Sequence, residues 1–157
     1  MTEIARGRCS CGEVTYALTD TPLIVHVCHC TWCQRETGTA FAFNGWIEAS
    51  KVDVLTGEPV DQSLPSASGK GQIVSRCPTC KVALWSQYHG GRHFRFVRLG
   101  TLEDPTAFAP GVHIFTSSKH PWVTIPDDVP AFPEFYRPKE VWSHDSQVRY
   151  KAALTQD

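Results

Sequence analysis

The sequence predicts a mainly β domain. Its apolar segments are short, they are rich in β-branched and aromatic residues, and Gly, Pro, Asn or Asp separates one from the next. The expected strands are residues 14–18, 23–27, 40–47, 71–75, 82–87, 93–98 and 112–116. Alternation is clearest at Phe41 and Phe43 and at Phe94 and Phe96, and residues two apart face one side of a sheet. One short helix is expected over residues 31–37, with Thr31 as its cap and Gly38 ending it. Cys33 falls near its N-terminus, where the partial positive charge favours a thiolate. Residues 57–70 are polar, carry no hydrophobic period and read as a mobile loop. Residues 124–138 combine prolines with Phe132, Phe135 and Tyr136 and read as an extended strap across the sheet.

A chain of 157 residues is expected to form a single domain, 1–157, burying roughly 70% of its unfolded surface. Fifteen basic and sixteen acidic residues leave a formal charge of −1 with no run of one sign, which argues against nucleic-acid binding. The longest apolar stretch, residues 23–27, is interrupted by His26 and is too short to span a bilayer. Residues 1–8 lack the apolar centre of a signal peptide, so a soluble cytoplasmic protein with reduced thiols is expected.

All seven cysteines fall in three clusters: Cys9-x-Cys11, Cys28-x-Cys30-x-x-Cys33 and Cys77-x-x-Cys80. The odd number and the expected reducing compartment argue against a disulfide framework. Their Gly, Ser, His, Thr and Pro neighbours argue against inert core cysteines, and no iron–sulfur spacing is matched. Zinc is the expected ion, two ions in all. Cys9, Cys11, Cys77 and Cys80 would close one tetrahedral site across more than sixty residues, a staple with no open position. Spacing also allows Cys28 and Cys30 to join Cys9 and Cys11. In the first pairing Cys28, Cys30 and Cys33 form a second site whose fourth position is open to water or substrate. Three thiolates around a divalent ion leave a charge of −1, which acidifies water poorly and suits exchange of a sulfur ligand. His26 and His29 are alternative fourth ligands, whereas His89 and His93 read as a structural turn.

The stretches GRCSCGEVTYAL, CHCTWCQRETGTAF, VRLGTLEDP and HIFTSSKHPWVTIPDDVPAF resemble the glutathione-dependent formaldehyde-activating enzyme family, which includes centromere protein V, over about residues 7–136. The resemblance implies a β-tent fold of short antiparallel sheets. It implies a structural zinc at Cys9, Cys11, Cys77 and Cys80 and a catalytic zinc at Cys28, Cys30 and Cys33. The implied activity is that of a carbon–sulfur lyase joining formaldehyde to glutathione as S-hydroxymethylglutathione. Ser117, Lys119 and Trp122 lie in a family motif and are implied as cleft residues, Trp122 being equally readable as core. Two departures stand out. Lys81 follows Cys80 where the family usually has Gly, and Arg76 precedes Cys77 where it usually has an aromatic residue.

The leading functional expectation is a zinc lyase acting on an adduct of a small thiol and an aldehyde. Lys119 or His113 would support the developing alkoxide, and Arg35, Arg92, Arg95 and Lys119 are candidate partners for glutathione carboxylates. The alternatives are a non-catalytic zinc module for partner binding or thiol-adduct storage, and a redox sensor centred on Cys33. Exposed strand edges leave room for a homodimer.

Overall fold

The computed structural model describes residues 2–88 and 91–155. Strand accounts for 34% and helix for 20%, so the chain is mainly β. Strands β1 (Ala5–Arg8), β2 (Thr15–Leu18) and β5 (Val52–Thr56) form an antiparallel sheet in the order β1-β2-β5. The other seven are β3 (Ile24–Cys28), β4 (Ala42–Glu48), β6 (Val60–Leu64), β7 (Gln72–Arg76), β8 (Ala83–Tyr88), β9 (Phe94–Arg98) and β10 (Val112–Ile114). They form a second sheet in the order β10-β3-β4-β9-β8-β7-β6. Its pairs are antiparallel except that β10 runs parallel to β3, so the expected antiparallel sheets are in fact one antiparallel and one mixed. A long connection from β9 brings β10 back alongside β3 in the same direction, as parallel pairing requires.

Each expected strand is present within a few residues of its predicted ends. β10 stops at Ile114 because Phe115 adopts a left-handed conformation (φ 54°) that turns the chain into a 3-10 turn at Thr116–Ser118. Three strands escape the pattern. β5 and β6 are edge strands with nearly every side chain exposed, and a strand solvated on both faces carries no apolar alternation. Residues 57–70, expected as a loop, therefore contain β6, which pairs with β7. β1 carries only one buried residue, Gly7, whose backbone lies against the Tyr16 ring with no room for a Cβ.

The first core lies between the sheets, where Tyr16, Leu18, Val25, Ile47, Trp85, Val97 and Leu99 pack together with Cys9 and Cys77. The second lies on the opposite face of the large sheet. There Cys28, Ala42, Phe94, Val112 and Ile114 meet Tyr136, Trp142 and Ala153 from the C-terminal segment. The expected strap is present: its backbone pairs with β10 through His113 N–H to Pro130 O (2.8 Å) and Phe132 N–H to His113 O (3.0 Å). Two helices follow, α2 (Pro138–Val141) and α3 (His144–Leu154). Arg149 of α3 forks onto the buried carboxylate of Glu48, with Nε 2.9 Å from Oε1 and Nη2 2.7 Å from Oε2. Ser146 Oγ donates to the carbonyl of Leu23 (2.8 Å), docking the same helix on the residue that precedes β3.

Breaking a buried pair from one side leaves an uncompensated charge, which typically costs 3–5 kcal/mol. Arg149→Met is therefore expected to lower unfolding stability by about 3 kcal/mol in urea, and adding Glu48→Gln should recover part of that loss. An unchanged midpoint in Arg149→Met would show that α3 is not held through this fork.

Candidate metal centres

The structure gathers the seven cysteines into two groups. The sulfur atoms of Cys9, Cys11, Cys77 and Cys80 all lie within 4.8 Å of one another, as do those of Cys28, Cys30 and Cys33. The alternative pairing, Cys28 and Cys30 with Cys9 and Cys11, is not the one adopted.

The four-cysteine group is built from two similar turns. In the β1–β2 turn, Cys9 N–H donates to Val14 O (3.0 Å), Gly12 N–H to Cys9 O (3.1 Å) and Val14 N–H to the Cys9 sulfur (3.3 Å). In the β7–β8 turn, Cys77 N–H donates to Val82 O (3.0 Å), Lys81 N–H to Cys77 O (3.1 Å) and Cys80 N–H to the Cys77 sulfur (3.5 Å). Each second cysteine is followed by a left-handed residue, Gly12 at φ 80° and Lys81 at φ 64°. Lys81 thus holds the position that Gly12 holds in the other turn and keeps its shape, and the lysine ammonium bonds back to Pro78 O. Cys9 and Cys11 sulfurs are 3.5 Å apart and Cys11 and Cys77 sulfurs 3.6 Å apart. A tetrahedral ion with metal–sulfur bonds of about 2.3 Å needs edges of about 3.8 Å, so the donor set and its spacing fit a divalent thiophilic metal. Backbone hydrogen bonds, first from Cys11 and then from Val82, pull Cys80 down to about 6, so one sulfur is readily ionised.

The three-cysteine group joins the end of β3 to helix α1 (Thr31–Thr37). The helix spans the expected residues and ends at Gly38 (φ 67°), but its cap is Cys30 rather than Thr31. The Cys30 sulfur accepts the Cys33 N–H at 3.3 Å, so one atom serves both as helix cap and as candidate ligand. Hydrogen bonds from the Cys28 and Cys33 thiols hold Cys30 well below the usual thiol range, while the bond to Cys30, the bond to Cys33 and burial push Cys28 up. A cation would take over the charge that these sulfurs otherwise share through protons.

Neither histidine alternative supplies a fourth ligand among the described residues. His26 Nε2 lies 2.7 Å from Tyr136 Oη, which also accepts the Trp142 Nε1–H at 2.7 Å. His29 is fully buried, and its Nε2 lies 2.9 Å from His113 Nδ1 in a stacked pair. Burial pushes His26 down to about 4; burial, then His113, Lys119 and His120, do the same to His29. The carbonyl of His29, between the two ligand-bearing residues, accepts from Gln34 Nε2 (2.8 Å) and Ser118 Oγ (2.9 Å), which fixes the Cys28–Cys30 loop.

The remaining expected site residues divide. Trp122 is 73% exposed rather than core, and with Gln34, Arg35, Thr39 and His120 it borders an open cleft of about 560 Å³ along α1. Ser117 is exposed and donates to Glu134 (2.9 Å), and Lys119 Nζ is taken up by the carbonyls of His120 (3.0 Å) and Val123 (2.6 Å). Arg95 lies over the Trp85 ring at 4.6 Å and donates to Val52 O (2.8 Å), remote from the cleft, while Arg92 is exposed. His113 is committed to His29, and His89 lies outside the described residues.

Two groups near the cysteines were not anticipated. Arg76, which directly precedes Cys77, pairs with Glu36 of α1 and donates through Nη1 to Lys81 O (3.1 Å). It thereby ties the four-cysteine turn to the helix that carries Cys33. Arg98 is buried on the large sheet beside Asn44 and Ser86. Its signal was in the sequence: Arg98 continues the alternation of Phe94 and Phe96, which places an arginine on an aromatic, inward face.

Two outcomes follow from these contacts. Lys81→Gly removes a left-handed side chain and is expected to raise stability by up to about 1 kcal/mol with metal content unchanged; a loss would show that the Lys81 bond to Pro78 outweighs the strain. Arg76→Ala is expected to cost on the order of 1–2 kcal/mol and to speed alkylation of Cys33 in metal-free protein. Unaltered labelling of Cys33 would show that the turn and α1 are independent.

Comparison with known proteins gives three results. The family model described as glutathione-dependent formaldehyde-activating enzyme matches residues 4–118. A crystal structure of a Rhodobacter sphaeroides protein, a structural-genomics target, aligns with a TM-score of 0.49 and 18% identity, covering 81% of this chain and 99% of that one. No curated protein matches the chain. The family match takes in every cysteine of both groups and stops short of the strap and the C-terminal helices, and by it the chain belongs to the glutathione-dependent formaldehyde-activating enzyme family.

Proposed function

We propose that this protein is a zinc-dependent carbon–sulfur lyase that forms or cleaves the adduct of a glutathione-like thiol with a formaldehyde-like aldehyde. In this reading zinc also staples the β-tent frame through Cys9, Cys11, Cys77 and Cys80. The observation that carries it is the three-sulfur group at Cys28, Cys30 and Cys33, which has no fourth histidine, cysteine or carboxylate ligand among the described residues. Family membership supports the same chemistry. Held by those three sulfurs, zinc would supply an open position where an incoming thiol gives up its proton.

The chain's own residues account for the rest of the site. Gln34 and Ser118 pin the His29 carbonyl, so the loop carrying Cys28 and Cys30 is set before substrate arrives. Gln34 also borders the cleft, which links the ligand loop to the surface where Arg35 and Trp122 stand. Arg35 presents a cation to a glutathione carboxylate, and Trp122 offers an exposed ring for the peptide to lie against. Lys119 braces the loop bearing Trp122 through its two carbonyl contacts. In the forward direction a carbon–sulfur bond forms, the carbonyl π bond opens, and the proton released by the thiol ends on the new hydroxyl.

Elemental analysis is expected to find two zinc ions per chain, falling to one in the folded triple variant Cys28→Ser, Cys30→Ser, Cys33→Ser. That variant should lose all acceleration of adduct formation between glutathione and formaldehyde. Arg35→Ala should raise KM for glutathione by about tenfold with little change in kcat, because it removes binding common to ground and transition states. Wild-type protein that holds two zinc ions yet accelerates no thiol and aldehyde pair would replace the lyase reading with a non-catalytic zinc module.

A further inference from the structure

Strand pairing sets Cys28 opposite Ala42 and Asn44 opposite Arg98. Residues two apart on β4 share a face, so Cys28, Asn44 and Arg98 all project to the same side of the large sheet. Arg98 is only 8% exposed. Its Nη1 donates to Asn44 Oδ1 at 2.7 Å and its Nη2 to Ser86 Oγ at 3.0 Å, and both acceptors are neutral. Among the described residues its buried Nε–H has no hydrogen-bond partner, and no ion pair includes Arg98. A guanidinium stays protonated in a protein, and a buried charge without a counterion is costly. Burial first, and then the charge of Cys33, pushes the phenol of Tyr88 on the neighbouring strand β8 up, while Arg98 pulls it down, so the cation and the sulfur act on the same side chain.

We propose that Arg98 is the internal countercharge of the three-cysteine centre, offsetting the negative charge that builds up when a fourth thiolate joins Cys28, Cys30 and Cys33. The inference rests on the open metal–thiol centre proposed above. Three thiolates on a divalent ion carry −1, and a substrate thiolate brings the total to −2. A fixed cation on the same face favours an anionic fourth ligand over a neutral one, which is the selectivity a thiol-using centre requires. A purely structural arginine would brace Asn44 and Ser86 and leave that preference alone.

The test uses protein with Co²⁺ in both cysteine groups and follows sulfur-to-cobalt absorption during titration with glutathione and, separately, imidazole. Arg98→Gln that keeps its four-cysteine ion is expected to need about tenfold more glutathione for half-saturation, with imidazole binding changed less than about twofold. Arg98→Lys, which retains the charge, should stay within about threefold of wild type for both ligands. An unchanged glutathione requirement in Arg98→Gln, or equal losses for glutathione and imidazole, would overturn the proposal. If Arg98→Gln loses its four-cysteine ion and so its fold, Arg98→Lys decides. Near-wild-type glutathione binding in the folded lysine variant supports the countercharge, and a tenfold loss overturns it. Wild-type protein that takes up a single cobalt would remove the open centre itself, and the proposal with it, before any variant is made.

Discussion

The contact between the β1–β2 turn and the β7–β8 turn is the constraint on which the structure depends. Cys9 and Cys11 belong to the small sheet's turn, Cys77 and Cys80 to the large sheet's, and their sulfurs meet at the edge of the core between the sheets. An ion in that group would close a loop spanning the 66 positions from Cys11 to Cys77. Closing a loop of that length removes several kcal/mol of chain entropy in the cross-link model, with the gain growing only slowly with length. Next to this turn the β7–β8 ladder is irregular: Ser75 faces Trp85 and Arg76 faces Ala83, so Leu84 of β8 is the extra residue of a bulge just before the cysteines.

From that joint the three-cysteine group is positioned by short links. Arg76 reaches from the start of the four-cysteine turn to Glu36 of α1, and α1 sets Cys33 against its own cap, Cys30. On the other side Phe115 turns the chain out of β10 so that Ser118 meets the His29 carbonyl. Of the two histidines in this stretch, His26 pairs with Tyr136 through Nε2 and His29 pairs with His113 through Nε2, while His29 Nδ1 is buried with no hydrogen-bond partner among the described residues. The three sulfurs are thus held as a group without a fourth histidine, cysteine or carboxylate beside them among the described residues, the feature on which the proposed thiol chemistry rests.

Much of this was legible in the sequence because the informative residues obey local rules. Clustered cysteines announce their sites by spacing, half-buried strands alternate, and α1 shows its end in Gly38. What stayed hidden depends on tertiary contact. β5 and β6 have no apolar period because they are edges, and α3 is a mostly polar helix whose docking combines the Arg149 and Ser146 bonds with Tyr150 and Ala153 against the second core. Trp122 belonged to either core or cleft by sequence, and only its exposure decides for the cleft. Lys119 and His113 looked like free donors until their partners came into view. Arg98 stands in the sequence as a charge on an aromatic face, but its lack of a carboxylate partner among the described residues is a property of the folded chain.

The central claim is that the open centre takes its fourth ligand from a thiol substrate. X-ray absorption at the zinc edge, on protein loaded with two ions and before and after saturating glutathione, tests it most directly. The account predicts seven sulfurs shared by two ions without the thiol, one for each cysteine, and eight with it. A sulfur count that does not rise when glutathione is added would contradict it.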